Sequence, residues 1–339
     1  MARVLVMMSG GVDSSVAAAL ARDAGHDVTG VTMKLWGGPS DTGCCSASDV
    51  DDARRVAAQL GVPHYVFNFT DEFDRHVVSP YVDAYRAGRT PNPCVACNRD
   101  MKWGRLLRRA LDLGFDVVAT GHHARVVGTS AGPRIARGAD LAKDQSYVLS
   151  VLGADAIART MLPIGDLTKA DVRAHAARLG FRTAVKPDSM DVCFISRGGR
   201  GEFLSERVDA VPGRVVDHAG NTIGAHDGVA HFTIGQRRGV GVAVGERRYV
   251  VDLDARAATV TLGRRDQLLR REVVLEGVSF PGARPLGDVR AQLRAHGAPV
   301  RARLDGDTVR FDEPQPRVAP GQVVAIYDGD VVVGAGYAA

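Results

Sequence analysis

Short hydrophobic runs and helical patterns alternate along the first third of the chain. Residues 4–8, 26–33 and 62–69 are apolar or alternate apolar with polar positions, which predicts three strands. Residues 49–60 instead carry hydrophobic positions at helical spacing, with acidic residues in the first turn. Strands separated by helices favour right-handed crossovers and a parallel sheet whose carboxyl ends gather ligands. The pattern therefore predicts an α/β fold built on a doubly wound parallel sheet.

A loop rich in glycine and serine, SGGVDSS at residues 9–15, joins the first predicted strand to the first predicted helix. Gly10 and Gly11 allow a sharp turn, and the helix start adds unpaired N–H groups and a positive dipole end, which together suit an anion. A Walker A loop would place a lysine after its last glycine, whereas Val12 and Asp13 stand here. The loop therefore fits a departing pyrophosphate better than a transferred γ-phosphoryl, and the alternative is an ordinary glycine turn.

Further polar positions follow the predicted elements. The apolar run 115–124 predicts another buried strand, which ends at Gly121 and His122 on the sheet edge already assigned to the loop. Lys143 and Gln145 can meet a phosphate and a base, with a solvated helix start as the alternative.

Two more positions have structural alternatives of their own. Met33 closes a predicted strand and can pack on an adenine ring, or simply fill the core. A helix predicted from Thr168 to Leu179 is interpreted as scaffold.

From residue 199 the pattern changes to short strands separated by glycine and aspartate turns. Strands are predicted at 213–216, 231–234, 248–251, 259–262, 272–275, 289–294, 300–304, 308–311, 322–327 and 331–333. The sequence thus predicts an α/β catalytic domain at 1–198, a small β-rich domain at 199–266 and a β-barrel at 267–339. Several arginines in this half of the chain could bind an RNA backbone, and the alternative is that they are ordinary solvated surface charges. They are Arg264, Arg265, Arg270, Arg271, Arg290, Arg294, Arg301 and Arg303.

Composition sets broad limits on this picture. The chain has 339 residues, 45% of them hydrophobic and 24% charged, and a formal net charge of +4 that permits a nucleic-acid partner without requiring one. The N-terminus lacks the pattern of a signal peptide, and no apolar run reaches the length of a membrane span. These features predict a cytoplasmic protein with no membrane partner.

The five cysteines are more typical of catalysis or metal binding than of a disulfide framework. Pro91 and Pro93 predict a rigid extended loop that gives way to a basic helix from residue 102 to 110. Cys97 is then near a helix start with Arg99 and Lys102, where the dipole and the cations lower a thiol pKa. The alternative is a structural CxxC, either half a zinc site or a resting disulfide.

The remaining cysteines carry weaker signals. Cys44 and Cys45 make a poor zinc site and stay unassigned, and a lone cysteine such as Cys193 is most often a small buried hydrophobe.

Seven motifs occur in one order along the chain and shift the balance towards catalysis. They are SGGVDSS, MKLW at 33–36, TPNPCVACN at 90–98, ATGHHA at 119–124, KDQS at 143–146, DSMDVCFI at 188–195 and TIGQRRG at 233–239. Together they resemble the tRNA-specific 2-thiouridylases, a family of PP-loop ATP pyrophosphatases, and a weaker match continues to PGQVV at 320–324.

The resemblance implies that ATP adenylates the C2 oxygen of the wobble uridine in the tRNAs for glutamate, glutamine and lysine, so that AMP becomes the leaving group. By resemblance, Cys193 receives a persulfide from a sulfur carrier or a cysteine desulfurase, and Cys97 is the nucleophile that releases the sulfur and leaves a disulfide with Cys193. The target base must be splayed out of the anticodon loop to reach this site.

The resemblance also implies the binding residues. Contacts to ATP, with Mg²⁺ as its counter-ion, are expected at Met7, Met8, Ser9, Gly10, Gly11, Val12, Asp13, Ser14, Met33 and Gly121. Contacts to tRNA are expected at Asn92, Pro93, Cys94, His122, Lys143, Asp144, Gln145, Arg294, Ala295 and Gln322. The chain is expected to act as a monomer without a metal site of its own.

One position departs from the family pattern. Cys94 stands where the family commonly has aspartate, so the proton acceptor expected there is in doubt. With Cys97 and Cys193 it forms three thiols that could bind a [4Fe-4S] cluster with an open iron, as in related PP-loop thiolases of tRNA. The persulfide route ranks first because its resemblance covers more of the chain.

Two further functions compete with tRNA thiolation. The glycine loop is also compatible with a different PP-loop adenylating ligase, such as an amide or amidine synthase. The CxxC and the arginines are compatible with a non-enzymatic RNA-binding protein that holds a metal. An amide or amidine synthase has no use for the thiols of Cys97 and Cys193, and an RNA-binding protein would consume no ATP.

Overall fold

The computed structural model describes residues 1–37, 46–188, 192–195, 199–242, 245–285 and 287–339, and the unassigned Cys44 and Cys45 lie outside these residues. Within them the strands are β1 Arg3–Met7, β2 Asp27–Lys34, β3 His64–Asn68, β4 Val117–Ala119, β5 Ala124–Thr129, β6 Gly132–Arg137, β7 Thr160–Met161, β8 Gly213–Asp217, β9 Thr222–His226, β10 Tyr249–Asp254, β11 Thr259–Gly263, β12 Leu269–Ser279, β13 Gly287–Gln292, β14 Val300–Asp305, β15 Thr308–Pro316, β16 Val323–Asp328 and β17 Val331–Ala338.

The α-helices are α1 Val12–Asp23, α2 Ala47–Leu60, α3 Thr70–Phe73, α4 Ser79–Arg86, α5 Pro93–Ala96, α6 Leu107–Asp112, α7 Ser146–Leu149, α8 Ala154–Ala158, α9 Lys169–Arg178 and α10 Gly199–Ser205. Wider π-helical turns continue α3 over Asp74–Val78 and α5 over Cys97–Leu106. Short 3-10 turns occur at Arg182–Val185, Val229–His231 and Asp266–Leu268.

Strand β1 lies in the middle of a five-stranded parallel sheet ordered β3-β2-β1-β4-β7. Its successive side chains point to opposite faces, so Val4 and Val6 pack in one hydrophobic cluster and Leu5 and Met7 in another. The predicted doubly wound sheet is therefore confirmed. The strand order reverses between β1 and β4, so the crevice at their carboxyl ends is the expected ligand site.

The helix beside the two prolines begins earlier than predicted. It starts at Pro93, and Asn92 caps it by accepting from the Cys94 N–H at 3.0 Å. Proline is tolerated there because the first turn of a helix needs no N–H partner at that position. The extended loop predicted up to residue 102 is wrong, and Cys97 lies one turn inside the helix.

The C-terminal strands β12 to β17 close into the predicted barrel, because β12 pairs with both β15 and β17. The hairpin β5–β6, absent from the sequence prediction, extends the barrel sheet through a pairing of Ala136 with Val331. Val323 and Tyr327 of the barrel also belong to the hydrophobic cluster that contains Met7. The barrel and the parallel-sheet unit therefore share both a sheet and a core.

Between them lies a small sheet ordered β10-β11-β8-β9. The strand predicted at 231–234 is wrong, because Val229–His231 forms a 3-10 turn. Phe232 and Ile234 are nevertheless buried in the cluster beneath this sheet. The apolar pattern at residues 231–234 therefore indicates that these side chains are buried, and it does not indicate a strand. No helix in the described part of the chain is long and apolar enough to cross a membrane.

Candidate active site

The loop after β1 is shaped by one glycine and two serines. Gly10 has a φ of 72°, a left-handed conformation that glycine adopts without strain, and a Cβ there would lie 2.2 Å from the Asp49 carbonyl oxygen. The Ser14 hydroxyl accepts from the Ser9 N–H and donates to the Gly11 carbonyl, each at 3.1 Å. The loop is therefore a tight turn seated directly on α2.

The carboxyl end of β4 lies against the same loop. A Cβ at Gly121 would lie 2.5 Å from both the Asp13 carbonyl carbon and the Ser14 nitrogen, so only glycine permits this approach. The loop and Gly121 thus meet at the point where the strand order reverses. Their individual contacts with ATP stay a prediction.

The hydrophobic residues expected to contact ATP are all buried. Met8 is 1% exposed, and its carbonyl accepts from the Thr32 hydroxyl at 2.7 Å. Val12 opens α1 in the cluster on one face of the sheet, and Met7 and Met33 lie in the cluster on the other. Met33 therefore fills the core, and its contact with adenine stays a prediction.

A network of charged side chains joins the loop to the segment after α9. Lys169 donates to both oxygens of Asp13, at 2.8 and 2.7 Å, and lies 2.8 Å from Asp188. Lys143 and Arg173 contact Asp188 as well, each at 2.8 Å. Groups distant in sequence therefore converge beside the predicted pyrophosphate loop.

Ion pairing keeps the two carboxyl groups of this network charged. Burial raises the pKa of Asp13, but hydrogen bonds from His123 and Lys169 outweigh burial, so the pKa lies below its usual 3.8. Burial likewise opposes ionisation of Asp188, yet Lys143 and Lys169 bring its pKa to about 2. Both groups are therefore anionic at neutral pH.

Lys186 fixes the same segment at a second point. Its ammonium group donates to the Gly10 carbonyl at 2.9 Å, to Asp49 at 2.5 Å and to Asp52 at 2.7 Å. Burial lowers the pKa of Lys186, but the two carboxylates raise it further, so the side chain stays charged. The backbone of the loop is thus tied to the chain that leads towards Cys193.

Sequence reasoning missed Lys169, Lys186 and Asp188. It interpreted the helix at Thr168 as scaffold, and that helix does carry the expected capping box with Asp171. One available signal was the lysine in the first helical turn, where a cation opposes the helix dipole and therefore needs an anionic partner.

The two cysteines predicted to be catalytic pack against one hydrophobic cluster. Cys97 and Cys193 are both half-buried at its edge. Phe194 is 1% exposed, and its ring lies 5.4 Å from Tyr81 and 6.1 Å from Trp36. This buried ring fixes the backbone beside Cys193. The chemical roles of the two thiols stay predictions.

The surroundings of Cys97 differ from the simple picture of a thiol among cations. Arg99 pairs with Asp100 at 2.8 Å and donates to the Tyr337 hydroxyl, so its charge is partly neutralised. Burial raises the pKa of Tyr337. Arg99 therefore links the helix of Cys97 to the barrel.

A cluster site does not form from the three thiols in this conformation. Cys94 is exposed, whereas Cys97 and Cys193 are half-buried. Over the ranges described, no three histidine, cysteine, aspartate or glutamate side chains are grouped so that they could hold a metal ion.

His122 and His123 have different surroundings. His122 is buried, with Nδ1 2.7 Å from the Thr120 hydroxyl and its ring packed 5.6 Å from that of Trp103. Burial holds the pKa of His122 well below 6.5, so the imidazole is neutral at pH 7. His123 Nε2 lies 3.3 Å from Asp13, a contact that the sequence did not predict.

The residues expected to contact tRNA near the catalytic unit are held by bonds within the protein. Pro93 is buried and Asn92 caps its helix. Asp144 has a side chain that is 4% exposed, and Gln145 accepts from the His123 N–H at 2.9 Å. These observations leave their tRNA contacts as predictions.

The expected barrel contacts lie on loops beside this unit. Arg294 is exposed and Ala295 is half-buried in the turn between β13 and β14. Gln322 directly precedes β16 and lies 3.4 Å from the Tyr147 hydroxyl. Ala295 and Gln322 thus both border the contact between the barrel and the catalytic unit.

Three family models match successive parts of the chain. The tRNA methyl transferase HUP domain matches residues 2–197, the tRNA methyl transferase PRC-barrel domain matches 201–264, and the aminomethyltransferase beta-barrel domain matches 271–338. The chain is 46% identical over 366 residues to the tRNA-specific 2-thiouridylase MnmA of Roseiflexus castenholzii, with 99% of each chain covered. It is 48% identical over 352 residues to the protein of the same name from Mycolicibacterium paratuberculosis, with 98% and 97% covered. The chain belongs to the tRNA-specific 2-thiouridylase family.

The family resemblance expected from the seven motifs is therefore confirmed over nearly the whole chain. Among solved structures, the U34-tRNA thiolase NcsA from Methanococcus maripaludis with its [4Fe-4S] cluster is 18% identical, with 56% of this chain and 61% of that chain covered and a TM-score of 0.38.

Proposed function

We propose that this chain is an ATP-dependent tRNA-uridine 2-sulfurtransferase acting on the wobble uridine of the tRNAs for glutamate, glutamine and lysine. One observation carries the proposal: ion pairs through Lys169 and a hydrogen bond from Lys186 to the Gly10 carbonyl join the glycine loop at the strand-order reversal to the segment that ends at Asp188, five residues before Cys193. Relatives that cover nearly the whole chain are named 2-thiouridylases. In this proposal the chain acts as a monomer.

Activation of the uridine uses ATP, with Mg²⁺ as its counter-ion. The uridine O2 attacks the α-phosphorus, the bond to the β-phosphate oxygen breaks, and pyrophosphate leaves. The N–H groups of the loop and the start of α1 are the donors for this anion. Lys169 and Lys143 lie in the adjoining network and can supply positive charge.

Sulfur transfer uses two thiols. Cys193 carries a persulfide received from a sulfur carrier or a cysteine desulfurase, and its terminal sulfur attacks C2 as the bond to AMP breaks. The Cys97 thiolate then attacks Sγ of Cys193. The S–S bond breaks, its electron pair passes to the sulfur on C2, and a disulfide between Cys97 and Cys193 remains for a dithiol reductant. Packing of both residues against one core supports this pairing.

Serine variants of the three cysteines test the proposal. With tRNA, ATP, Mg²⁺ and a persulfide donor, we expect the wild type to yield 2-thiouridine by nucleoside mass spectrometry. Cys97→Ser and Cys193→Ser should yield none while still binding ATP. Cys94→Ser is the matched control, because the persulfide route gives its thiol no step.

The outcomes separate the persulfide route from its competitors. An unmodified wobble uridine with wild-type protein would overturn the proposal. Loss of product in Cys94→Ser, together with about four irons per chain in anaerobically purified protein, would favour the cluster route. Full turnover of ATP by Cys97→Ser on another substrate would favour an amide or amidine ligase.

A further inference from the structure

A series of buried polar contacts crosses from the catalytic unit into the barrel. Asp144 accepts from Arg137 Nε at 3.1 Å and from the Ser146 N–H at 3.1 Å. The Ser146 hydroxyl donates its one proton to Asp144 Oδ2 at 2.8 Å, and its oxygen packs 3.0 Å from the Tyr327 hydroxyl oxygen. Tyr327, in β16, donates to Gln292 Oε1 at 3.0 Å. This series of contacts thus begins in the KDQS motif and ends at Gln292, the last residue of β13.

At the barrel end of this series, Gln292 holds the turn between β13 and β14. Gln292 Nε2 donates to the Arg294 and Ala295 carbonyls, each at 3.1 Å. Because Nε2 is committed to these carbonyls, Oε1 is left as an acceptor, so Tyr327 must donate to it. Arg294 remains exposed, while Ala295 packs against the core that the barrel shares with the catalytic unit.

All four side chains in this series of contacts are buried. Ser146 and Tyr327 are 0% exposed, Gln292 is 3% exposed and the Asp144 side chain 4%. A buried polar group that loses its partner keeps the full cost of having left water. Moving the turn would leave the Gln292 amide unpaired, so the bonds hold the turn in one place.

We propose that Gln292 and Tyr327 are positioning residues that fix the Arg294–Ala295 turn relative to the Lys143–Gln145 segment for a bound tRNA. The inference rests on the proposed tRNA function. Asp144 anchors the catalytic side of this contact, because both the N–H and the hydroxyl of Ser146 donate to it. A tRNA that meets one of the two surfaces then meets the other without a further ordering cost.

Two variants test the role of this series of contacts through tRNA binding and turnover. Tyr327→Phe deletes the hydroxyl in the middle, and Gln292→Leu deletes the amide that holds the turn. For each we expect the KM for tRNA to rise about tenfold, as the loss of a buried hydrogen bond implies, with kcat and ATP binding unchanged. If Gln292→Leu does not fold, the smaller change in Tyr327→Phe still decides the question.

A matched control separates positioning from stability. Ser150→Ala removes a buried hydroxyl near the same interface that donates to the Tyr147 carbonyl at 2.8 Å and does not reach the turn. We expect it to lower the thermal midpoint as Tyr327→Phe does and to leave the KM for tRNA unchanged.

A double-mutant cycle gives the deciding readout. If Gln292 acts through the turn, Gln292→Leu should add little to the loss caused by Arg294→Ala. Additive losses, or a wild-type KM in both Gln292→Leu and Tyr327→Phe, would overturn the inference and leave the proposed function standing. Failure of the wild type to bind or modify tRNA would instead overturn both.

Discussion

At Gly10 the backbone and its neighbour both exclude a side chain. The φ of 72° strains any residue with a Cβ, and the Asp49 carbonyl occupies the space that the Cβ would need. Lys186 also binds the Gly10 carbonyl, so a shift at this residue would disturb the anchor of the following segment. The glycine therefore sets both the shape of the loop and its attachment.

We predict that Gly10→Ala weakens ATP binding. The left-handed conformation costs alanine about 1–2 kcal/mol, and relief of the clash must displace the start of α2. Isothermal titration with ATP should show an affinity at least about tenfold lower.

Gly153→Ala is the control for the Gly10 variant, because a Cβ at Gly153 meets no atom within 4 Å. It should bind ATP as the wild type does. Wild-type affinity in Gly10→Ala would show that the loop does not hold the nucleotide.

Residues 186–188 have no regular secondary structure, and charge holds them in place. Three cations, Lys143, Lys169 and Arg173, contact the Asp188 carboxylate. An amide at this position would leave Lys143 and Arg173 without the carboxylate that they share, whereas Lys169 would keep its pairing with Asp13. The position of this segment up to residue 188 therefore depends on one carboxylate.

We predict that Asp188→Asn exposes Cys193. Its alkylation by iodoacetamide, followed by peptide mass spectrometry, should be several-fold faster than in the wild type. Asp166→Asn is the control, because that carboxylate is exposed and 3.8 Å from its arginine partner. Equal rates in all three proteins would contradict the anchoring role.

The same carboxylate gives a predicted pH dependence. Its folded-state pKa of about 2 lies below the ordinary 3.8, so it stabilises the folded protein above pH 3.8 and loses that effect as the pH falls towards 2. Urea unfolding at several pH values between 3 and 6 should therefore show a weaker loss of stability on acidification in Asp188→Asn than in the wild type.

Elements with a local signal could be predicted, and elements made by distant partners could not. The first strand, its glycine loop and α1 follow from residues 4–23 alone. The ion pair of Asp13 with Lys169 joins positions 156 residues apart. The position of Lys169 in the first turn of α9 indicates that it needs an anion, but no local pattern identifies Asp13 as that partner. The strand predicted at 231–234 is wrong because a buried irregular segment has the same apolar residue pattern as a buried strand.

At the scale of the whole molecule, the barrel presents an outer face with opposed arginines. Arg290 and Arg301 stand directly opposite each other on β13 and β14, and both are exposed. Like charges in this arrangement destabilise a sheet, so the pair fits an anionic partner. Arg303 differs because Asp288 lies 3.6 Å from it.

We predict that the double variant Arg290→Ala, Arg301→Ala binds tRNA more weakly and with less dependence on salt. Each lost phosphate contact should reduce the slope of log affinity against log salt by about one. Filter binding at several salt concentrations measures this slope.

Arg284→Ala is the control for the barrel variant, because its guanidinium is engaged by Asp307 at 2.7 Å. An unchanged slope in the double variant would mean that this face does not meet the RNA.

The hairpin β5–β6 also constrains how the protein is made. Ala136 pairs with Val331, a residue that the ribosome adds long after the hairpin has emerged. Until then the β6 edge has bare N–H and C=O groups, which can pair with the same edge of another nascent copy. Between the emergence of β6 and that of β17 from the ribosome, pairing of two nascent chains at the β6 edge therefore competes with completion of the barrel.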